Sequence, residues 1–378
     1  MRSTLDPRLG QAARQLLQSA RPLEGAIVVL DPRSGKVLAW TELRRRGAPG
    51  SLITTAIAPA ASVFKLVTTA ALFENGGVQP LDKVCIAGGL RRVEREHLEA
   101  ARGPDTICSP FAEALGHSRN AAFAQLATRR LLRSDLLEVA ERLGFNASVP
   151  FDWPVPVGQL SLPYNDLEFA RTAAGFQGST LSPLGGAHLA SIIAAGGISQ
   201  RVRLLAPEPA NRQAAAASRV LSATTAWRMT RMMEVTVHSG TCRGVFTDPT
   251  GKSYLPGIRV AGKTGTLRPY ESPSTTSWFI GFAPSRKPEV VVSVMLQNGA
   301  VWRQRAAEVA RDLLRFYFHS RGHRNVSDPF AGSQLKVGAT VDADVPRSTA
   351  LRANAASDMH GAAPSQTSPL AAHDAANR

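Results

Sequence analysis
The sequence predicts an α+β protein: a five-stranded antiparallel sheet, with the terminal helices on one face and an all-helical block on the other. Three observations carry that expectation. Strand-like segments fall into two groups, a pair near the N-terminus and three near the C-terminus. Helical periods fill most of the stretch between them, roughly 55–240, and recur at both ends. The longest apolar runs, such as Ala26–Leu30 and Val290–Leu296, have strand length and are too short to cross a bilayer.

Residues 7–20 are amphipathic, with Leu9, Ala12, Ala13, Leu16 and Leu17 on one side. Gly25–Asp31 reads as a buried strand and Lys36–Leu43 as its return. Between them Asp31-Pro-Arg-Ser-Gly35 is a turn, because proline and glycine supply its dihedrals. A helix starts near Ser62 and continues through Leu66, Val67, Ala70, Ala71 and Leu72, with Asn75-Gly76-Gly77 as its stop. The polar stretch 76–110 has little period and reads as a small lobe or a surface excursion. Phe111–Leu115, Ala121–Leu132 and the segment from Ser134 to Leu143 read as helices. The proline-rich stretch 146–165 reads as a loop. Ser182–Ala195 has an N-cap serine, Pro183 at its first position and a Gly196-Gly197 stop. Ser222 opens a further helix to Val237. Ile258–Thr266, Ser277–Ala283 and Glu289–Gln297 read as strands, and Trp302–His319 as a closing helix. Beyond it the period fails and Ala, Ser, Asp, Arg and Pro dominate, so a disordered tail is expected over 321–378. The expected organisation is thus an N-terminal helix within 1–20, one domain over 21–320 with a helical subdomain, and the tail.

The 378 residues carry a net charge of +15. The tail holds six Lys/Arg against five Asp/Glu, so nearly all of the charge belongs to the folded part. A basic surface suits anionic partners such as nucleic acid, anionic lipid or an acidic polymer. No zinc-finger or RNA-binding signature appears, so nucleic acid is not expected, and a solvated arginine-rich surface accounts for the charge. Cys85, Cys108 and Cys242 have no metal-type spacing. Cys85 and Cys108 bracket one polar segment and would bridge if the chain is exported; in a reducing compartment all three are ordinary thiols. No signal peptide or transmembrane segment is read. The chain as it stands is therefore expected in the cytoplasm, unless an upstream start or anchor is missing.

Three short motifs carry chemistry. Ser62-Val-Phe-Lys65 puts a hydroxyl and an amine three residues apart, on one face of a helix. A serine is a poor nucleophile until a base takes its proton. Lysine becomes such a base when burial and a helix dipole disfavour its ammonium form. The motif alone is weak: with thirty serines and seven lysines, roughly half a Ser-x-x-Lys is expected by chance. Ser333-Gln-Leu-Lys336, in the expected tail, is such a decoy. Ser118-Arg-Asn120 lies in a break between helices, where serine could relay a proton and asparagine could hold an amide; capping the next helix is the plainer role. Lys263-Thr264-Gly265-Thr266 closes a strand, offering a cation and two hydroxyls to a carboxylate, with glycine allowing close approach. A turn at a strand end is the plainer reading.

Taken together and in this order, the motifs resemble those of the penicillin-binding protein transpeptidase and serine β-lactamase superfamily. The likeness extends to Gly25–Ala39, Gly175–Leu184 and Ser277–Pro284, and covers roughly 20–320. It implies a β-lactamase/transpeptidase-like fold and an acyl transfer on D-Ala-D-Ala stem peptides of peptidoglycan. It also implies roles. Ser62 would attack the peptide carbonyl and Lys65 would take its proton. Ser118, with Lys263, would protonate the departing D-alanine, and Asn120 would position Lys65 and the peptide amide. Lys263, Thr264, Gly265 and Thr266 would form the carboxylate site. The backbone N–H groups of Ser62 and Thr266 would form the oxyanion hole. No cofactor or metal is implied. The implied partners are stem peptides, β-lactam antibiotics and other cell-wall synthesis proteins, with membrane contact only through a missing anchor. The implied location is the periplasm or cell envelope. One departure stands out: many transpeptidases have Pro-Gly before the nucleophile, and here Ala60-Ala61 stand there.

Other readings compete. A β-lactamase needs a deacylating base, for which Glu168 is a candidate by type, although its helix is expected to leave it on the surface. A D,D-carboxypeptidase differs only in using water as acceptor. A non-catalytic β-lactam or wall sensor would not need all three motifs. Gly116-His-Ser118-Arg-Asn120 falls short of a Gly-x-Ser-x-Gly elbow. His319 and His323 have ligand spacing but lie at a helix end without an acidic partner.

Overall fold
The computed structural model describes residues 2–44, 50–206, 217–268 and 273–331. Helix α1 (Pro7–Ala20) is capped by Asp6, whose carboxylate accepts from the Leu9 N–H. Strands β1 (Glu24–Leu30) and β2 (Val37–Leu43) form the expected hairpin. The two-residue strand β3 (Ala58–Pro59) leads into a 3₁₀ turn, Ala61–Val63, and then helix α2 (Lys65–Glu74). Ser62 therefore sits in the tight turn, and Lys65 is the first α-helical residue.

The stretch 76–110 is a disulfide-bonded excursion. Strands β4 (Lys83–Ile86) and β5 (Ile107–Pro110) pair with Cys85 opposite Cys108, and the two sulfurs are bonded. Helices α3 (Phe111–Gly116), α4 (Asn120–Arg130) and α5 (Arg133–Arg142) follow. The expected proline-rich loop contains β6 (Gly158–Leu160), which pairs with β7 (Ser179–Leu181) beyond α6 (Asp166–Ala173). Strand β7 also pairs with β3, so this small sheet holds the chain just ahead of Ser62. Helix α7 (Pro183–Ala194) is capped by the Ser182 hydroxyl on the Gly185 N–H. A minor pair, β8 (Ile198–Ser199) and β9 (Ser218–Arg219), precedes α8 (Ala223–His238) and α9 (Arg243–Phe246). Then come β10 (Ala261–Leu267), β11 (Thr275–Ala283), β12 (Val290–Asn298) and α10 (Ala306–Ser320).

The five long strands form one antiparallel sheet in the order β10-β11-β12-β1-β2. Successive side chains of a strand point to opposite faces, and β1 shows the result. Ile27 and Val29 join a core with α1 and α10, while Ala26, Val28 and Leu30 join the core of the helical block. Helix α7 is buried on nearly every side, as a helix that is apolar all round should be. It packs on β1, β11 and β12 of the sheet and against α8, which in turn meets α2.

Several boundaries differ from expectation, two of them by three or four residues at the start of an element. Strand β10 begins at Ala261 rather than Ile258, and α10 at Ala306 rather than Trp302. Within the tail expected from 321, two side chains pack back onto the domain. Val326 and Phe330 are buried, Phe330 meets the Phe316 ring edge-on, and His319 Nδ1 lies 2.8 Å from the Val326 carbonyl. Residues 332–378, and with them Ser333–Lys336, lie outside the described residues. His323 packs edge-on against Phe318, so neither histidine is set up as a ligand. Among the described residues no cluster of metal-binding side chains occurs, and no helix is long and apolar enough to cross a membrane.

One buried histidine makes the fold acid-sensitive. His188 in α7 is 2% exposed, and its Nδ1 has no hydrogen-bond partner. Burial pushes its pKa down to about 4 from 6.5. Because the folded value lies below the unfolded one, the stability is intact above pH 6.5 and is lost as pH falls toward 4. The loss attributable to this group is about 3 kcal/mol. We expect His188→Met to flatten the fall in unfolding free energy between pH 7 and 4, measured by urea denaturation; an equal fall in both proteins would contradict this.

Candidate active site
The three motifs converge. Lys65 Nζ lies 2.9 Å from Ser62 Oγ, 2.7 Å from Asn120 Oδ1 and 2.5 Å from the Ala174 carbonyl. Carbonyl oxygens can only accept, so two of the lysine's N–H bonds are committed to Asn120 and Ala174. Only the contact with Ser62 is reversible. In the neutral amine, the lone pair points to the hydroxyl and can take its proton. Lys65 is fully buried, which together with the nearby Lys263 charge holds its pKa well below the usual ammonium range. The ring of Phe123 adds an apolar wall, 5.5 Å from Nζ to its centroid.

On the opposite wall, Lys263 Nζ lies 3.1 Å from Ser118 Oγ and donates to the Thr264 carbonyl at 2.8 Å. Lys263 is also fully buried, and burial lowers its pKa to about 7. Beneath it the buried Cys242 thiol is pushed up to about 12 and stays neutral. Strand β10 is an edge strand, so one line of its backbone groups is free to face the Ser62 turn. A Cβ on Gly265 would lie 3.3 Å from both the Ala60 carbonyl and Ala61 Cβ. Trp278 on β11 fixes the turn from behind, its indole N–H donating to the Pro59 carbonyl at 2.9 Å.

The Ser62 turn is strained. Ala61 has φ +50°, a left-handed conformation that glycine adopts more readily, and Ser118 has φ +56°. Gly175 makes the first of these possible. A Cβ there would sit 2.2 Å from the Ala61 carbonyl, and its own φ is +82°.

Asn120 does not cap α4, the plainer role its position suggested. The cap residue is Arg119, without a side-chain cap bond, and Asn120 reaches Lys65 instead. Its Nδ2 donates to the Leu90 carbonyl, so one amide N–H is held by the disulfide-bonded excursion. Thr266 lies exposed at the end of the motif. Glu168 is held on α6 by Arg171 and Gln177 and takes no part in the Lys65 contacts. Reading the sequence missed the Ala174 and Leu90 carbonyls, which have no side-chain signature. It also missed Thr241, whose hydroxyl lies 2.8 Å from that of Thr264.

The family described as penicillin binding protein transpeptidase domain matches residues 25–315. The chain belongs to this family. Among curated relatives, the peptidoglycan D,D-transpeptidase PbpA of Mycobacterium tuberculosis is 29% identical over 343 residues, covering 79% of this chain and 67% of the relative. A probable peptidoglycan D,D-transpeptidase PbpC of Pseudomonas aeruginosa is 25% identical, covering 72% and 49%. The crystal structure of M. tuberculosis PBPA superposes with a TM-score of 0.66 at 25% identity, over 82% of this chain and 80% of that one. The same mycobacterial protein as an imipenem acyl-enzyme complex gives 0.66 at 25%, over 84% and 79%. The transpeptidase domain of Burkholderia pseudomallei penicillin-binding protein 3 shares the fold, with a TM-score of 0.69 at 20% identity over 85% and 96%.

For this transpeptidase domain the Ala61–Gly175 contact is a point of test. Gly175→Ala should lower the unfolding free energy by roughly 2 kcal/mol, because the turn must shift. Ala61→Gly should raise stability by up to about 1 kcal/mol. Denaturant titrations of both variants check the signs.

Proposed function
We propose that this transpeptidase domain transfers the acyl group of D-Ala-D-Ala stem peptides through Ser62. The observation that carries this reading is the Lys65 contact set, which leaves the amine one exchangeable partner, the Ser62 hydroxyl. Ser62 Oγ attacks the penultimate carbonyl as Lys65 takes its proton. The backbone N–H groups of Ser62 and Thr266 hold the developing oxyanion. Lys263, Thr264 and Thr266 receive the terminal carboxylate along the open edge of β10. Ser118, fed by Lys263, gives a proton to the departing amine of D-alanine. An acceptor amine then takes the acyl group from Ser62 to form a crosslink; water in its place gives a carboxypeptidase. A β-lactam acylates the same oxygen when its ring amide opens, and the mycobacterial relative's acyl-enzyme structure supports this. The position of Glu168, tied to Arg171 and Gln177, argues against rapid lactamase turnover. The Cys85–Cys108 bond supports an oxidising compartment, the periplasm or cell envelope.

Fluorescent penicillin should label the full chain at Ser62, located by mass spectrometry of the tryptic peptide. Ser62→Ala should abolish labelling without changing the circular dichroism spectrum, and nitrocefin should be turned over slowly. Fast nitrocefin turnover would favour a lactamase, and absence of labelling a non-catalytic sensor.

The pH profile of acylation should be bell-shaped. The base must be neutral, so the rate rises as pH climbs through the lowered pKa of Lys65. The carboxylate site needs a cation, so the rate falls as pH passes about 7 and Lys263 loses its proton. Lys263→Met should move the acidic limb to higher pH, because it removes the charge that helps depress Lys65. An unmoved limb would contradict this account.

A further inference from the structure
We propose that Thr241 is a positioning residue for the carboxylate end of the substrate, acting through the Thr264 hydroxyl; this rests on the acyl-transfer reading above. The turn Ser239-Gly240-Thr241 follows α8 and touches both walls of the cleft. On the Ser118 side, the Thr241 N–H donates to the Gly116 carbonyl at 3.1 Å. A Cβ on Gly240 would fall 2.2 Å from that carbonyl, so the two backbones meet directly. Gly116 ends α3, two residues ahead of Ser118. On the β10 side, Thr241 Oγ1 lies 2.8 Å from Thr264 Oγ1. The Thr264 main chain is fixed separately, by Lys263 Nζ on its carbonyl.

A hydroxyl has one proton and two lone pairs. If Thr264 donates to Thr241, it has no proton left for a ligand. A carboxylate accepts only, so its arrival requires Thr264 to turn its proton toward the cleft. The Thr264 oxygen must then accept from Thr241. The result is a directed chain, Thr241 O–H to Thr264 Oγ1, then Thr264 O–H to the carboxylate, in which each bond strengthens the next. Thr241 thus sets the direction of the Thr264 proton without touching the scissile bond. It also makes that direction depend on the ligand carrying an anionic group, so it favours substrates with a free C-terminus over capped ones.

The test uses the full-length protein with benzylpenicillin and its methyl ester, which lacks the anionic carboxylate. Second-order acylation rates are read by intact-protein mass spectrometry. We expect Thr241→Val to slow acylation by benzylpenicillin about 5- to 10-fold, the usual scale for one neutral hydrogen bond, because the bond removed joins the Thr241 and Thr264 hydroxyls. The slower reaction with the ester should be unchanged, and Thr241→Ser should restore the wild-type rate with benzylpenicillin. The loss should appear in the saturation constant more than in the limiting rate. Equal losses on both ligands would mean a structural role and would overturn the proposal, as would an unaffected Thr241→Val or a Thr241→Ser as slow as the valine variant. If the wild-type protein is acylated by neither compound, the acyl-transfer reading falls and takes this inference with it. Normal wild-type acylation with an indifferent Thr241→Val removes only the role of Thr241.

Discussion
Among the described residues two lysines are wholly buried, and neither has a carboxylate among its bonded partners. A buried ammonium without a counter-ion is expensive, and the usual outcome is a lowered pKa. The rest of the cleft can be understood from that constraint. Neutral acceptors, Asn120 and the Ala174 carbonyl for one lysine and the Thr264 carbonyl for the other, satisfy N–H bonds without restoring the charge. An Asp in place of Asn120 would hold Lys65 protonated and remove the base. Each lysine also depends on a serine hydroxyl, so the polar groups most costly to bury are paired with those whose protons must move.

Much of this was legible in the chain. The five long strands announced themselves by apolar runs between turn residues, α1 by its apolar period, and α7 by its cap serine, first-position proline and glycine stop. The site motifs were legible as a set, because each wall of the cleft supplies one of them. Less visible were features held by one or two residues. Strands β3, β6 and β7 are two or three residues long, too short to show alternation. The carbonyls of Ala174 and Leu90 belong to the backbone and leave no mark in the residue types around them. Thr241 sits in a Ser-Gly-Thr turn that reads as an ordinary helix stop.

The Ala60-Ala61 departure from the common Pro-Gly has a physical answer in the structure. The backbone still takes the left-handed turn at Ala61, and the required space is left by Gly175 on another segment. Strain of this kind persists when the surroundings over-determine it. Here the small β3–β7 sheet, the Trp278 bond to Pro59 and the Lys65 bond to the Ala174 carbonyl all hold the same few residues. The nucleophile is therefore fixed by its neighbours more than by local preference.

The short segment after α10 bears on how the domain is handled. Phe330 and Val326 roof the outer side of the closing helix, and Arg315 reaches the Ser327 hydroxyl across the gap. A gene cut at the last residue of helical period would strip this roof and leave the Phe316 ring facing water. Such a protein would be expected to stick to itself through that bared aromatic patch even with its cleft whole, so a shortened version belongs beyond residue 331.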